Sequence, residues 1–375
     1  MFVRRARTAG IAALVAIAAL SLSACAGGAT ASTSTAGAVD AKTATSAQAL
    51  GGLDALVKAA KAEGQLNVIA LPDNWANYGA IKKAFTKKYG ITINSASPDI
   101  SSAEEITAAK NLKGQNTAPD VFDVGTAVAL TSTSYFAPYK VANWSEIPAG
   151  NKASNGLYVN DYTGSMSIGY NSKAVPKPTS LNDLLSSKYK GAVALNGDPT
   201  QANAAFSAVG WVSMQSGGSL DNFQPGIDFF KKLNAAGNFI TVGATPQTIA
   251  SGETKVVFDW SYNNLAAAAA TPGWKVTTLP GTAYTSFYNQ AVSADAPHPA
   301  AARLWEEFLY SPEAQNLFLS GGAYPVTLAA MTKAGTIDKT ALSAIGTIGK
   351  QATVTDAQAK AANTLLAANW AAAVN

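Results

Sequence analysis

The sequence predicts an α/β fold made of two units, each with a mainly parallel sheet flanked by helices, joined by crossing strands. Three observations predict it. Strand-like and helix-like runs alternate at close spacing from Leu66 onward. The alternation is interrupted at Tyr158 to Tyr170, where polar and aromatic residues alternate as in strands that cross between units, and then it resumes. About 310 folded residues are expected, more than a single core usually holds.

At the N-terminus, Arg4, Arg5 and Arg7 precede the apolar stretch Ile11 to Leu20, and Leu22-Ser23-Ala24-Cys25 closes it. A basic head, a short apolar run and a small-residue cleavage site make a secretory signal over residues 1–24, too short for a membrane span. Residues 25–45 are nearly all Ala, Gly, Ser and Thr after the cysteine, which is the composition of a flexible tether. Cys25 is the only cysteine, so no internal disulfide can form.

Order is expected from Ala47. Leu53, Leu56, Val57 and Ala60 repeat at helical spacing and stop at Gly64. Leu66 to Leu71 is an apolar run bounded by Gly64 and Pro72, and reads as a buried strand. Tyr78 to Tyr89 is an amphipathic helix stopped by Gly90, Ile91 to Ile93 begins a strand, Ala103 to Leu112 is helical, and Asp120 to Val124 is a strand. After the crossing segment come a strand at Lys190 to Leu195 and helices at Ala202 to Gln215 and Pro225 to Asn234. A helical turn at Thr248 to Gly252 precedes a buried strand at Val256 to Phe258. The alanine-rich run Leu265 to Thr271 reads as a buried helix. Trp274 to Leu279 is a strand, and Tyr288 to Ser293 a return strand. Helices then follow at Pro299 to Tyr310, Ser311 to Leu319 and Asp356 to Val374.

The bulk numbers exclude some classes. The chain has 375 residues, 48 % of them hydrophobic and 13 % charged, so it can bury a core. Its formal charge is +4, but three arginines lie in the leader, leaving about +1, too little for the basic face of a nucleic-acid binder. No phosphate-binding glycine-lysine loop, no Gly-x-Ser-x-Gly elbow and, with one cysteine and one histidine, no cysteine dyad or zinc site is legible. No cofactor is expected.

Four stretches carry a resemblance. Leu22 to Cys25 resembles the lipobox of bacterial lipoproteins, in which the cysteine thiol takes a diacylglyceryl group and becomes the first residue. The others are LPDNWANYGAIKKAFTKKYGITI, APDVFDVG and HPAAARLWEEFLYSPEAQNLFLSGGAYPV. Together they resemble the extracellular solute-binding lipoproteins of bacterial ABC importers, in the class that includes spermidine/putrescine and ferric-iron binders. The resemblance implies a two-lobed, periplasmic-binding-protein-like fold that closes on its solute by hinge motion. It implies a discontinuous lobe one (46–161 and 284–335), lobe two (162–283) and a C-terminal helical region (336–375). It also implies an ABC permease and its ATPase subunit as partners, and a lipid anchor in the outer leaflet of the cytoplasmic membrane. A monomer is expected, without nucleic acid.

Ligand sites in open α/β sheets lie beyond the carboxyl ends of strands, which selects the candidates. Asp73, Asn74, Trp75 and Tyr78 follow the first strand. Trp75 and Tyr78 match a Trp-x-x-Tyr of polyamine binders, and either line a cleft or cap a local core. Asp123 and Thr126 lie at the end of the Asp120 to Val124 strand. Asp198 and Gln201 follow the Lys190 to Leu195 strand, where Asp198 is a helix cap or a ligand carboxylate. Asp259, Trp260 and Tyr262 follow Val256 to Phe258, a carboxylate beside two rings. Tyr284, Tyr288 and Asn289 lie on the return strand. Asn289 stands where the resemblance places an aspartate that pairs with an ammonium, so long polyamines fit less well than a small solute with one amine, or a zwitterion.

The expected function is capture of a small polar, amine-containing solute between two lobes and its delivery to the permease. The alternatives are an anionic solute such as a phosphonate, or ferric ion, for which a tyrosine pair is missing. A secreted enzyme using paired carboxylates and a surface adhesion protein are the rivals outside transport.

Overall fold

The computed structural model of the protein describes residues 40–346 and 348–374. The expected secretory signal, Cys25 and most of the expected tether lie outside the described residues. The first lobe starts with α1 (Leu53–Glu63), which Gly64 ends in a left-handed conformation with its N–H on Ala60 O. β1 (Gln65–Ile69) and β2 (Thr92–Ala96) pair in parallel across α2 (Tyr78–Tyr89), the crossover that a parallel pair needs. α3 (Ser102–Asn111) opens with a capping box between Ser101 and Glu104. β3 (Val121–Gly125), α4 (Thr126–Thr131) and the short β4 (Phe136–Ala137) complete this half.

The chain crosses to the second lobe on β5 (Val159–Asn171). There it forms β6 (Val193–Leu195), α5 (Asn203–Gln215), α6 (Gln224–Ala235), α7 (Pro246–Ser251), β7 (Val256–Trp260), α8 (Ser261–Ala270) and β8 (Trp274–Thr277). It returns on β9 (Ala283–Ser293) to α9 (Pro299–Leu309) and α10 (Pro312–Ser320), both opened by proline. β10 (Tyr324–Pro325), α11 (Leu328–Ala334), α12 (Lys339–Ile345), β11 (Gln351–Ala352) and α13 (Asp356–Val374) follow.

β5 and β9 are the hinge. They pair antiparallel from Val159↔Gln290 to Ser165↔Thr285, with an irregularity between Asn160 and Thr163. One end of β9 takes β3, with Asp123 opposite Gln290, and the other end of β5 takes β7, with Ser167 opposite Asp259. β6 lies parallel to β7. The sheets are therefore mixed where the sequence predicts mainly parallel ones, because strands that run out to one lobe and back must meet their neighbours in both senses.

Helix α5 is buried from Asn203 to Ser213, as a helix apolar on all sides must be. Its Trp211 and Phe230 of α6 both meet Phe258 of β7 edge-on. Trp370 of α13 closes on Phe230 with ring centroids 5.5 Å apart. In lobe one, Asp120 accepts from the backbone N–H of Asn67 (2.6 Å) and of His298 (2.7 Å), and the ring Nδ1 of His298 lies 2.8 Å away. This ties β1 and the start of α9 to one carboxylate. No described helix is long and apolar enough to cross a membrane.

The structure corrects four further expectations. The sequence predicts a free tether as far as Thr45, but the buried Arg303 donates to Ala44 O (2.7 Å) and Lys42 O (2.9 Å), docking that stretch on α9. β7 runs on to Trp260, so Asp259 and Trp260 belong to the strand and not to a loop beyond it. β9 begins five residues earlier than Tyr288, at Ala283. The alanine-rich helix α8 is not buried: only Tyr262 and Asn264 are, and Leu265 is 45 % exposed. An all-alanine face has too little apolar surface to require cover.

Candidate functional site

A cavity of about 570 Å³ opens at the carboxyl ends of β1, β3, β6 and β7, with both lobes as its walls. On the lobe-one side, alternation along β3 sends Phe122 and Val124 into an apolar cluster with Ile69, Phe136 and Ala291. Asp123 and Gly125 thereby face the other way. Asp123 is 5 % exposed. Its Oδ2 accepts from the hydroxyls of Tyr78 (2.9 Å) and Tyr162 (3.2 Å), while its Oδ1 has no partner. Its backbone N–H donates to Glu105 of α3 (3.2 Å), a second buried carboxyl on the cavity wall. Behind them, Gln290 donates to the Tyr78 oxygen (2.8 Å) and to Asp161 (2.9 Å).

Trp75 sits at the junction of the lobes. Its Nε1 donates to Tyr162 (2.6 Å), and its ring stands edge-on to Tyr262 (5.8 Å) and Tyr288 (5.6 Å). The loop that aims it has left-handed backbone at Ala70, Ala76 and Asn77, none of them glycine. Asn77 offsets that strain by donating to Leu317 O (2.8 Å), with Gly321 packed so closely on it that a Cβ would lie 2.6 Å from the Asn77 Cβ.

On the lobe-two side, Asp259 is 5 % exposed and fully partnered. Its Oδ1 accepts from the Trp260 N–H (2.7 Å) and Asn263 (3.1 Å), and its Oδ2 from Asn196 (2.9 Å) and Asn263 (3.2 Å). α8 turns Asn263, Ala266, Ala267 and Ala270 toward the cavity, the i, i+3, i+4, i+7 spacing of one helix face. Ile249 and Ala250 of α7 extend that apolar wall. The lobes touch at its margin, where Ala103 N–H donates to Gln201 O (3.3 Å).

The charges are of one sign. Asp99, Glu104, Glu105, Asp123, Asp198 and Asp259 line the cavity, and no Lys, Arg or His is among the described residues that do. Burial pushes the Asp259 carboxyl up to about 6 despite its three neutral partners. Burial, and then the charge of Asp161, hold Asp123 well above the usual carboxylate range. Burial and then Asp123 do the same to Glu105, and burial raises Asp161 to about 7. Among the described residues no group of three or more His, Cys, Asp or Glu could hold a metal ion.

Of the fourteen candidates read from the sequence, Asn74, Trp75, Asp123, Asp198, Gln201, Asp259 and Tyr288 line this cavity. The other seven do not. Asp73 is turned to solvent and paired with Lys82 (2.9 Å). Tyr78 lies behind Asp123 as its donor. Trp260 and Tyr262 are stacked in the core, 6.2 Å apart, and Gly164 admits the Tyr262 ring against β5. Tyr284 is buried against Gly210 of α5. Asn289 points away from the cavity, since Tyr288 and Asn289 are neighbours on one strand. It donates to Val124 O (3.1 Å) and Thr126 Oγ1 (3.3 Å) and accepts from Asn160 (2.7 Å), which also occupies Thr126. The acidity of the cleft is therefore not set at Asn289. Sequence reasoning misses Glu105, Asn203 and the α8 alanines, which also line the cavity. The spacing of Ala266, Ala267 and Ala270 is the one signal that could have found any of them. Cys25 lies outside the described residues.

The profile of the bacterial extracellular solute-binding proteins matches residues 117–346, more than half of the chain. No curated protein matches in sequence. Among solved structures, a periplasmic thiamin binding protein is similar over 83 % of this chain and 96 % of its own, with TM-score 0.63 and 18 % identity. The periplasmic binding protein AfuA from Actinobacillus pleuropneumoniae, with fructose-6-phosphate bound, is similar over 83 % and 99 %, with TM-score 0.63 and 15 % identity. A ferric binding protein from Campylobacter jejuni is similar over 82 % and 99 %, with TM-score 0.59 and 16 % identity. At these identities the likeness is one of fold.

Proposed function

Because the chain belongs to the bacterial extracellular solute-binding proteins, of the ABC-importer type, we propose that its cargo is a small solute bearing a cationic nitrogen, held between the lobes and handed to a permease. The observation that carries this is the one-signed lining: six acids and no basic side chain. At an effective dielectric constant near 20, a unit charge about 4 Å from a carboxylate gains or loses about 4 kcal/mol. That favours an amine over an anion. The same lining opposes a phosphonate or sugar phosphate. Ferric ion is opposed by the lack, among the described residues, of a ligand cluster, and by the sole histidine being held by Asp120 away from the cavity. Trp75 and Tyr288 bring rings to the cation's side of the cleft.

Capture would draw the walls together, since Asp123 and Asp259 belong to different lobes and only interactions specific to the closed form favour closure. The protein would stand outside the cell membrane, held through Cys25 by a diacyl anchor. Two acyl chains hold a protein firmly where one does not. A thermal-shift screen with putrescine, simple monoamines, thiamin, fructose 6-phosphate, phosphonates and ferric citrate tests the cargo. Amines raising the melting temperature while the anions do not is the expected result. Stabilisation by an anion alone overturns it.

A further inference from the structure

We propose that lobe one carries a docking surface for an anionic phospholipid bilayer, built on Trp144 with Lys140 and Lys152 and set where the chain enters the lobe. This rests on the reading of Cys25 as a lipid anchor, and it says which face of the protein that anchor brings down on the membrane.

The surface is organised around one ring. Trp144 opens a short helical turn (Trp144–Glu146) and is half-buried against the core of lobe one. Two ammonium groups lie over its indole, Lys152 Nζ 5.0 Å and Lys140 Nζ 5.7 Å from the ring centroid. Lys152 also donates to the Trp144 carbonyl, which fixes it there. Burial, and then the charge of Lys140, hold the Lys152 ammonium below its usual range. Among the described residues neither lysine pairs with a carboxylate. Two like charges gathered on one ring and left unpaired make a place for an anion. An indole flanked by lysines also suits the headgroup level of a bilayer, with the ring in the interface and the cations on the phosphates.

The acids nearby do not cancel this charge. Glu307 is taken up by the Tyr139 hydroxyl (2.7 Å) and the Ala142 N–H (2.9 Å). Asp40 and Glu146 are exposed, but Lys42 is exposed too, so three lysines stand against two acids.

The position selects the partner. The segment from Asp40 to Thr45 meets the same loop, where Lys140 N–H donates to Thr45 O (2.9 Å). Arg303, which holds Lys42 and Ala44 by their carbonyls, lies 5.6 Å from the Tyr139 ring centroid. The chain before Asp40 therefore leaves lobe one beside the patch. Asp40 is fifteen residues from Cys25, a span of at most about 50 Å. A patch kept that close to a bilayer meets it at an effective concentration on the order of a millimolar. Each lysine adds only about fivefold in affinity for an anionic surface, too little to recruit a free protein but enough for a tethered one. Lobe one would then rest on the bilayer, and lobe two would carry the closing motion.

Of the seven tryptophans five are buried and Trp75 lines the cleft, so Trp144 is the one that a quencher at the headgroups reaches. The test uses the acylated protein, purified from membranes and reconstituted in two kinds of vesicle, both carrying a headgroup nitroxide. One is phosphatidylcholine alone and the other is one third phosphatidylglycerol. Tryptophan quenching about twofold stronger with phosphatidylglycerol is expected. The difference should vanish in Trp144→Phe. It should also vanish in the double variant Lys140→Gln with Lys152→Gln, and in about 1 M salt, where the Debye length is about 3 Å. The salt arm needs no variant to fold. Equal quenching in the two vesicles, or a difference that survives in Trp144→Phe, overturns the docking surface while protein that floats with the vesicles leaves the anchor standing. Protein recovered without acyl chains overturns both.

Discussion

The two walls of the cleft each bury one carboxyl group to the same 5 % exposure, and they treat it differently. Asp259 on lobe two is surrounded by neutral donors from Asn196, Asn263 and the Trp260 backbone. Asp123 on lobe one has two tyrosine hydroxyls on one oxygen and nothing on the other, with Glu105 and Asp161 close by. The first is an anion made ready in advance. The second is pressed by burial and by its neighbours toward its protonated form. A carboxylate satisfied by dipoles orients a solute, whereas one left unmet beside like charges gains most from its arrival.

The largest expected effect breaks this pair apart. Asp123→Asn should weaken amine binding about 100-fold, as loss of one partner of a buried charge pair does, while the unliganded protein melts no lower at pH 8. Asp259→Asn should cost about tenfold, since Asn263 remains on that wall to contact the solute. Calorimetry and melting curves on both variants measure this, and equal losses would show the walls to be equivalent.

Next is pH. Cation binding lowers a raised carboxyl pKa and so expels its proton. Affinity should therefore rise with pH through about 6, the Asp259 value, by up to about tenfold per unit for the proton released. Calorimetry in two buffers of different ionisation heat counts the protons. Stability runs the opposite way in the unliganded protein. Asp259 titrates near 3.9 in the unfolded chain and near 6 in the folded one. Its contribution is whole below about pH 4 and lost as pH rises through about 6, worth about 3 kcal/mol. A saturating amine should flatten that fall.

The smallest effect sharpens the account of Asp259. Asn196→Ala removes one of its donors, so its carboxyl should titrate still higher. Binding should weaken about threefold at pH 6, and less at pH 8 where the proton is gone in either case. A loss equal at both values would show that Asn196 touches the solute instead of tuning the acid.

Part of this site is legible in the sequence. Asp123 and Asp259 stand at the ends of apolar strands, and burial beside a strand end is a local property. Glu105 is not legible: on an amphipathic helix an acid reads as solvent-facing, and only the packing of α3 on β3 turns it inward. Asn203 reads as a helix-start residue, and Gly125 alone lets it reach the cleft. Trp260 and Tyr262 look like ligand rings in the sequence because they follow a buried strand, but β7 extends through Trp260 and the first turn of α8 carries Tyr262, leaving both in the core. The one-residue choice between Tyr288 and Asn289 on β9 reverses which side chain faces the cavity, because strand faces alternate at every residue.

Hydrophobic periodicity, the glycine and proline stops and the placement of charges determine the α/β class, the order of helices and strands, and the acids that end the strands. Those are local signals, set by neighbours within a few positions. Register across the β5–β9 hinge, the sense of each pairing and the meeting of Gly125 with Asn203 were decided by the tertiary structure alone. They depend on contacts between residues tens of positions apart, where no local preference reaches and only the joint packing of two lobes selects the face that each side chain presents.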